Sequence, residues 1–103
     1  MNQTTPYQLE RARTYRAEAQ QAIEYILSND DLNKAKLILK SIKRSINAEI
    51  NMSNDTDSAY EKLLVTITND LDDKKDAFSQ LERIRNGFFK FIIAQTGSSD
   101  ANR

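Results

Sequence analysis

Apolar residues recur at intervals of three or four along most of the chain, and this spacing is the strongest constraint on its fold. Such a repeat places the apolar side chains on one face of an α-helix and leaves the opposite face polar. Four stretches show the pattern. No uninterrupted apolar run exceeds a few residues, whereas a helix that spans a membrane needs about 20. The pattern therefore predicts four amphipathic helices and no membrane span.

The first two predicted helices are separated by a short polar break. Thr5 can cap the first helix, with Pro6 as its first residue and Gln8 completing a capping box. Cap-forming residues at 28–31 end this helix. The second helix is predicted from about residue 32 to about residue 50.

The third predicted helix follows a run of turn-forming residues at 51–58. Ser58 can cap it, and Glu61 stands at the matching capping-box position. The β-branched stretch 64–68 raises a strand as an alternative. Apolar residues at helical spacing from residue 60 to residue 71 favour the helix.

The last helix is predicted from near Asp73 to about Thr96, and Gly97 stands where helices commonly end. Short connections favour antiparallel neighbours. The predicted fold is therefore all-α, an antiparallel up-down-up-down four-helix bundle formed by residues 1–97 as a single domain. Residues 98–103 are predicted to be a disordered tail.

Several classes of chemistry are excluded by residues that the chain lacks. It contains neither His nor Cys. Thiolate and imidazole zinc sites, disulfides and nucleophiles activated by His are therefore impossible. Acidic residues at 70–76 match no calcium-loop spacing and are interpreted as caps at a helix N-terminus. We expect a protein that is not an enzyme and has no metal site and no cofactor.

The net charge of zero hides a strong pattern along the chain. Residues 32–48 include five basic residues and no acidic one: Lys34, Lys36, Lys40, Lys43 and Arg44. Residues 49–73 include seven acidic residues and one basic residue, Lys62. We interpret the two stretches as solvated, complementary faces. Nucleic-acid binding is not expected, because the basic helix has no aromatic residue on which a base could stack.

Two predicted helices have more apolar width than one stripe requires. In the last helix, Phe89 and Ile93 lie one turn apart beside the stripe, and in the second helix Leu37 and Leu39 flank Ile38. Such residues can be core, a self-association surface or a surface for a partner. Gly87 can allow a close approach of two helices or a bend. The polar N-terminus lacks a signal-peptide pattern, so a cytoplasmic location is expected.

With the helices placed, the chain resembles the flagellin-specific export chaperone family. Residues 32–42, followed by Ser45-Ile46-Asn47, resemble the family's second long helix. Residues 59–64 and 81–88 resemble its paired C-terminal helices, and Thr5-Pro6-Tyr7-Gln8 resembles its N-terminal motif.

The resemblance implies a cytoplasmic chaperone without ATPase activity. It would hold an aggregation-prone helical segment of a secreted or filament subunit in apolar grooves. On this resemblance, the residues expected to contact the client are Leu37, Leu39, Phe89 and Ile93, and those expected to steer its acidic residues are Lys40, Lys43 and Arg44. The alternatives are a bundle of the bacteriocin-immunity type and a homodimeric structural bundle.

Overall fold

The structure is a computed structural model that describes residues 4–54 and 57–97. Within these ranges it has four helices and no strand, so the predicted all-α class is confirmed. The helices are α1 (Pro6–Asn29), α2 (Leu32–Met52), α3 (Ala59–Asp70) and α4 (Ala77–Thr96). The predicted disordered tail, residues 98–103, lies outside the described residues, as do residues 55 and 56 of the predicted loop.

The ends of α1 follow the predicted capping pattern. The Thr5 hydroxyl accepts a hydrogen bond from the Gln8 backbone amide, and the Gln8 side chain accepts one from the Thr5 amide, both at 3.1 Å. At the other end Asp30 has a φ of 51°, the left-handed conformation that ends many helices. Asp31 then caps α2 by accepting from the Lys34 amide at 3.0 Å.

Helix α3 is confirmed as a helix through the β-branched stretch 64–68. Ser58 caps it by accepting from the Glu61 amide at 3.0 Å. The predicted start of α4 near Asp73 is wrong, because residues 71–76 form the connection and the helix begins at Ala77. Asp76 sets this start by accepting from the Ser79 amide at 2.7 Å.

The apolar stripes of all four helices meet in one core. Its two largest side chains on α1 and α4, Tyr15 and Phe88, stack with ring centroids 4.9 Å apart. Helix α1 has the most extensive contacts, first with α4 and then with α2, while α3 contacts α2 and α4. Buried core residues lie on every helix: Ala12, Tyr15, Ala19, Ala22, Ile23, Ala35, Leu39, Ile42, Ile46, Tyr60, Leu64, Ile67, Ala77, Leu81, Ile84, Phe88, Phe91 and Ile92.

At Gly87, α4 packs closely against α3. A Cβ atom at this position would lie 3.0 Å from Cδ1 of Ile67, closer than ordinary van der Waals contact. Of the two predicted uses of this glycine, the close approach of helices is therefore the one the packing supports. Gly97, with a φ of 90°, ends α4 as expected.

Candidate functional site

The outer face of α2 carries three of the residues predicted to bind a partner. Leu37 is 68% exposed, and Lys40 and Arg44 are also exposed. Residues three and four positions apart share a helix face, so these side chains lie together, with Lys36 one turn before Lys40. We call Lys36, Leu37, Lys40 and Arg44 the basic α2 face.

The other two predicted residues of α2 are occupied within the fold. Leu39 is only 6% exposed and belongs to the core, so it offers no surface to a client. The Lys43 ammonium donates to the Asp73 carboxylate at 2.5 Å and to the Gln80 side chain at 3.1 Å. Lys43 therefore joins α2 to the connection before α4 and to α4 itself.

On α4, Phe89 and Ile93 are half-buried. The Arg16 guanidinium of α1 lies 4.8 Å from the centroid of the Phe89 ring, a distance suited to a cation–π contact. Close to it, Arg85 donates to Gln20 of α1 at 2.9 Å. The structure thus places Phe89 against α1 rather than beside the basic α2 face, and the seven predicted residues do not form one site.

The acidic residues at 70–76 have partners inside the protein. Asp70 forms an ion pair with Arg83, Asp73 with Lys43, and Asp72 accepts from the Lys74 amide at 2.9 Å. Asp76 is the cap of α4, and the Ser79 amide lowers its pKa by hydrogen bonding to the carboxylate. Among residues 4–54 and 57–97, no group of three or more acidic side chains is arranged to hold a metal ion.

A partly buried polar cluster, absent from the sequence predictions, joins three helices. The Glu49 carboxylate of α2 accepts from the Tyr15 hydroxyl of α1 and, at 2.8 Å, from the Tyr60 hydroxyl of α3. Arg11 of α1 donates to the same carboxylate at 3.4 Å. Its guanidinium lies 4.6 Å from the centroid of the Tyr15 ring. We call these four residues the Glu49 cluster.

The sequence holds a signal for this cluster. Glu49 follows Ile42 by seven residues and Ile46 by three, which puts it on the apolar stripe of α2. An acidic residue on a buried stripe needs hydrogen-bond donors from the facing helices. Both tyrosines are core residues, at 0% and 1% exposure, so they bring their hydroxyls into the core as those donors.

Burial and the adjacent carboxylate shift the acidity of the two tyrosines in the same direction. Desolvation by burial raises the pKa of Tyr15 and of Tyr60 above the ordinary value of about 10, and hydrogen bonding to Glu49 raises it further. Both hydroxyls therefore stay protonated and keep donating at neutral pH. The Glu49 carboxylate accepts from three donors on two other helices, which suits a structural tie between helices.

A groove follows the seam between α2 and α3. One cavity, of about 410 Å³, has Ile50 and Val65 as its apolar walls, and a second, of about 210 Å³, includes Ile46, Leu71 and Lys43. We call the two cavities together the α2–α3 groove. Val65 is 43% exposed there, and Met52 at the end of α2 is 80% exposed. The first volume lies within the range of ligand pockets, about 300–1,000 Å³, and the second lies below it.

No protein-family model matches the chain, and no curated protein or solved structure matches it significantly. Across the described residues, none of the helices combines the length and apolarity needed to cross a membrane.

Proposed function

We propose that this protein is a non-enzymatic, cytoplasmic protein-binding bundle that holds an amphipathic helical segment of a client. The observation that carries the proposal is the α2–α3 groove. Its lining residues fall between positions 43 and 53, in α2 and its C-cap, and between positions 61 and 73, in and just after α3. About ten helical residues extend about 15 Å, so the lining is as long as nearly three turns of a helix.

The chemistry of the groove supports a helical client. Ile50 and Val65 supply apolar walls for anchors at positions i, i+3 or i+4 and i+7. Polar and charged groups, including Lys62 and Thr66, line the same cavity and provide hydrogen-bonding partners at its edge. Lys43 lines the second cavity, where its ammonium is held by Asp73 and Gln80.

The arrangement of the helices is part of the proposal. We infer an antiparallel up-down-up-down bundle, since residue pairs between neighbours run in opposite directions. Arg11 meets Glu49 and Tyr25 meets Lys34, so later residues of α1 face earlier residues of α2. The same reversal relates α1 to α4 and α3 to α4. In this arrangement α2 and α3 lie side by side for most of the length of α3.

The resemblance to flagellin-specific export chaperones adds the class of client. On that basis we propose a secreted or filament-forming subunit whose exposed helical segment aggregates when it is unassembled. Leu37, Phe89 and Ile93 remain proposed contacts for other parts of such a client, because a long segment can extend beyond one groove.

The test compares two single substitutions of exposed apolar residues. Tagged wild-type protein and two tagged variants are used to capture partners from cells of the source organism. Val65→Asp changes the groove, and Leu27→Asp is the control, because Leu27 is 68% exposed at the end of α1. We expect one secreted or filament subunit to be recovered with wild type and Leu27→Asp, and lost with Val65→Asp. Circular dichroism should show equal helicity in all three.

Three results would overturn the proposal. If no secreted or filament subunit is recovered, the proposed class of client is wrong. If Val65→Asp recovers the client as well as wild type does, the proposed role of the groove is wrong. Light scattering is measured on the same samples. A dimer that Val65→Asp converts to a monomer would mean that a second copy of the chain fills the groove.

A further inference from the structure

The basic α2 face places three exposed cations next to one another on one helix face, and none of them has a partner among the described residues. Lys36, Lys40 and Arg44 stand four residues apart and are all exposed. Eight residues of helix separate the first from the last, a distance of about 12 Å. In the described part of the chain none of the three side chains makes a hydrogen bond, ion pair or ring contact.

The two other cations of α2, in contrast, have partners within the protein. Lys43 is paired with Asp73, and the Lys34 ammonium lies 4.6 Å from the centroid of the Tyr25 ring. The acidic connection at 70–76 is likewise used internally, by ion pairs and caps. In residues 4–54 and 57–97, therefore, no carboxylate pairs with the basic α2 face, although the whole chain is neutral.

Leu37 gives this face an apolar anchor among the cations. It is 68% exposed and lies one residue after Lys36 and three before Lys40. An apolar residue flanked by cations complements a helix that presents apolar residues flanked by carboxylates.

Other occupants fit the face less well. Two copies of this chain related by a two-fold axis would bring the same patch against itself, so cations would oppose cations. A single-stranded nucleic acid is held by cations together with aromatic side chains, and α2 has no aromatic residue.

We infer that the basic α2 face docks an acidic amphipathic α-helix of a partner protein. This rests on the proposed protein-binding function and adds a second contact surface, with the partner's charge specified. The cations raise the rate of encounter and select against basic helices, while Leu37 contributes a desolvated contact at the centre.

The experiment uses two synthetic peptides and nuclear magnetic resonance of the isotope-labelled protein. The probe peptide is an 18-residue amphipathic helix with Leu anchors and flanking Glu residues. The control peptide has Lys in place of every Glu. We expect the Glu peptide to shift the amide signals of residues 36–44, to bind about tenfold more weakly as salt rises from low to high concentration, and to outcompete the Lys peptide.

Two triple charge reversals test the assignment to this face. Lys36→Glu/Lys40→Glu/Arg44→Glu should weaken binding about tenfold, since each exposed ion pair contributes up to a few-fold. Arg13→Glu/Lys74→Glu/Lys90→Glu changes the net charge equally at exposed cations elsewhere, and should leave the affinity within about twofold. Circular dichroism of both variants checks that the helices are retained.

Every outcome decides the inference. It fails if the Glu peptide binds more weakly than about 1 mM, if both triple variants weaken binding equally, or if a DNA duplex of similar length binds more tightly than the peptide. Shifts confined to Ile50 and Val65 would overturn this inference while supporting the proposed groove. Loss of the client with Val65→Asp but binding of the Glu peptide at residues 36–44 would support both.

Discussion

Replacing Glu49 by Ala should destabilise the bundle more than any other single change of a charged residue that we propose. The Glu49 side chain is 18% exposed, and its carboxylate accepts hydrogen bonds from two core hydroxyls and from Arg11. Its removal leaves the Tyr15 and Tyr60 hydroxyls without an acceptor in the core. Arg11, which is more exposed, can turn to solvent, so the two hydroxyls determine the cost.

The magnitude follows from those two groups. Leaving a buried donor unsatisfied costs about 1–3 kcal/mol, so two would cost about 2–6 kcal/mol. Water that enters the space left by the side chain recovers part of this, and we expect a loss of about 3 kcal/mol in the free energy of unfolding. For a domain of this size the melting temperature should fall by about 12–24 °C.

The assay is urea unfolding monitored by circular dichroism. Glu24→Ala, at an exposed position of α1, is the matched control. The control should change stability by less than about 0.5 kcal/mol. A second comparison removes the two buried hydroxyls together with the carboxylate. The triple variant Glu49→Leu/Tyr15→Phe/Tyr60→Phe should be more stable than Glu49→Leu alone, because no donor remains unsatisfied in it.

The reasoning is refuted if Glu49→Ala is as stable as Glu24→Ala, since the carboxylate would then be effectively solvated. It is also refuted if adding the two Tyr→Phe changes to Glu49→Leu lowers stability further. That result would mean that the hydroxyls interact with groups other than Glu49.

Three other predictions concern the packing of α4, its cap and the buried tyrosines. Gly87→Ala should gain about 1 kcal/mol of helix propensity, but its methyl group should press on Cδ1 of Ile67. The substitution should therefore be more favourable in an Ile67→Val background, which lacks that atom. Additive effects of the two substitutions on the free energy of unfolding, in a double-mutant cycle, would contradict this contact. The lowered pKa of Asp76 means that its cap stabilises α4 above the ordinary pKa of Asp and is lost as pH falls through the lower folded value. Melting temperatures of wild type and Asp76→Ala should therefore converge in acid, and a constant difference would exclude the cap as the cause. The raised pKa of Tyr15 and Tyr60 means that unfolding is favoured as pH rises above about 10. Ultraviolet absorbance should show two of the tyrosines ionising only together with loss of helicity, and ionisation of all four in the folded protein would contradict the Glu49 cluster.

The helices and their ends could be predicted from sequence because they depend on local rules. Thr5, Ser58 and Gly97 each act through residues within four positions, so their roles are visible without knowing the fold. The sequence predicts too early a start for α4, because several acidic residues before it could serve as its cap. Only the observed hydrogen bond from Ser79 selects Asp76.

Sites that depend on contacts between helices were harder to predict. The width of the apolar stripe in α2 predicts the same role for Leu37 and Leu39. In the structure Leu37 is exposed and Leu39 belongs to the core, because their side chains are about half a turn apart around the helix. Charge marked Lys40, Lys43 and Arg44 equally. Only the fold shows that Lys43 is held by Asp73, which is 30 positions away in the chain.

The distribution of pairs explains how a neutral chain can still have a directional surface. In and beside the α3–α4 connection, Asp70 and Asp73 are paired with Arg83 and Lys43, which reduces the net field of these charges beyond the protein. The cations of the basic α2 face have no such partner among the described residues, and their field extends about one Debye length, about 8 Å at physiological salt. Long-range attraction is therefore set by which charges remain unpaired, and on α2 it favours an acidic partner at a distance where the apolar walls of the groove exert no force.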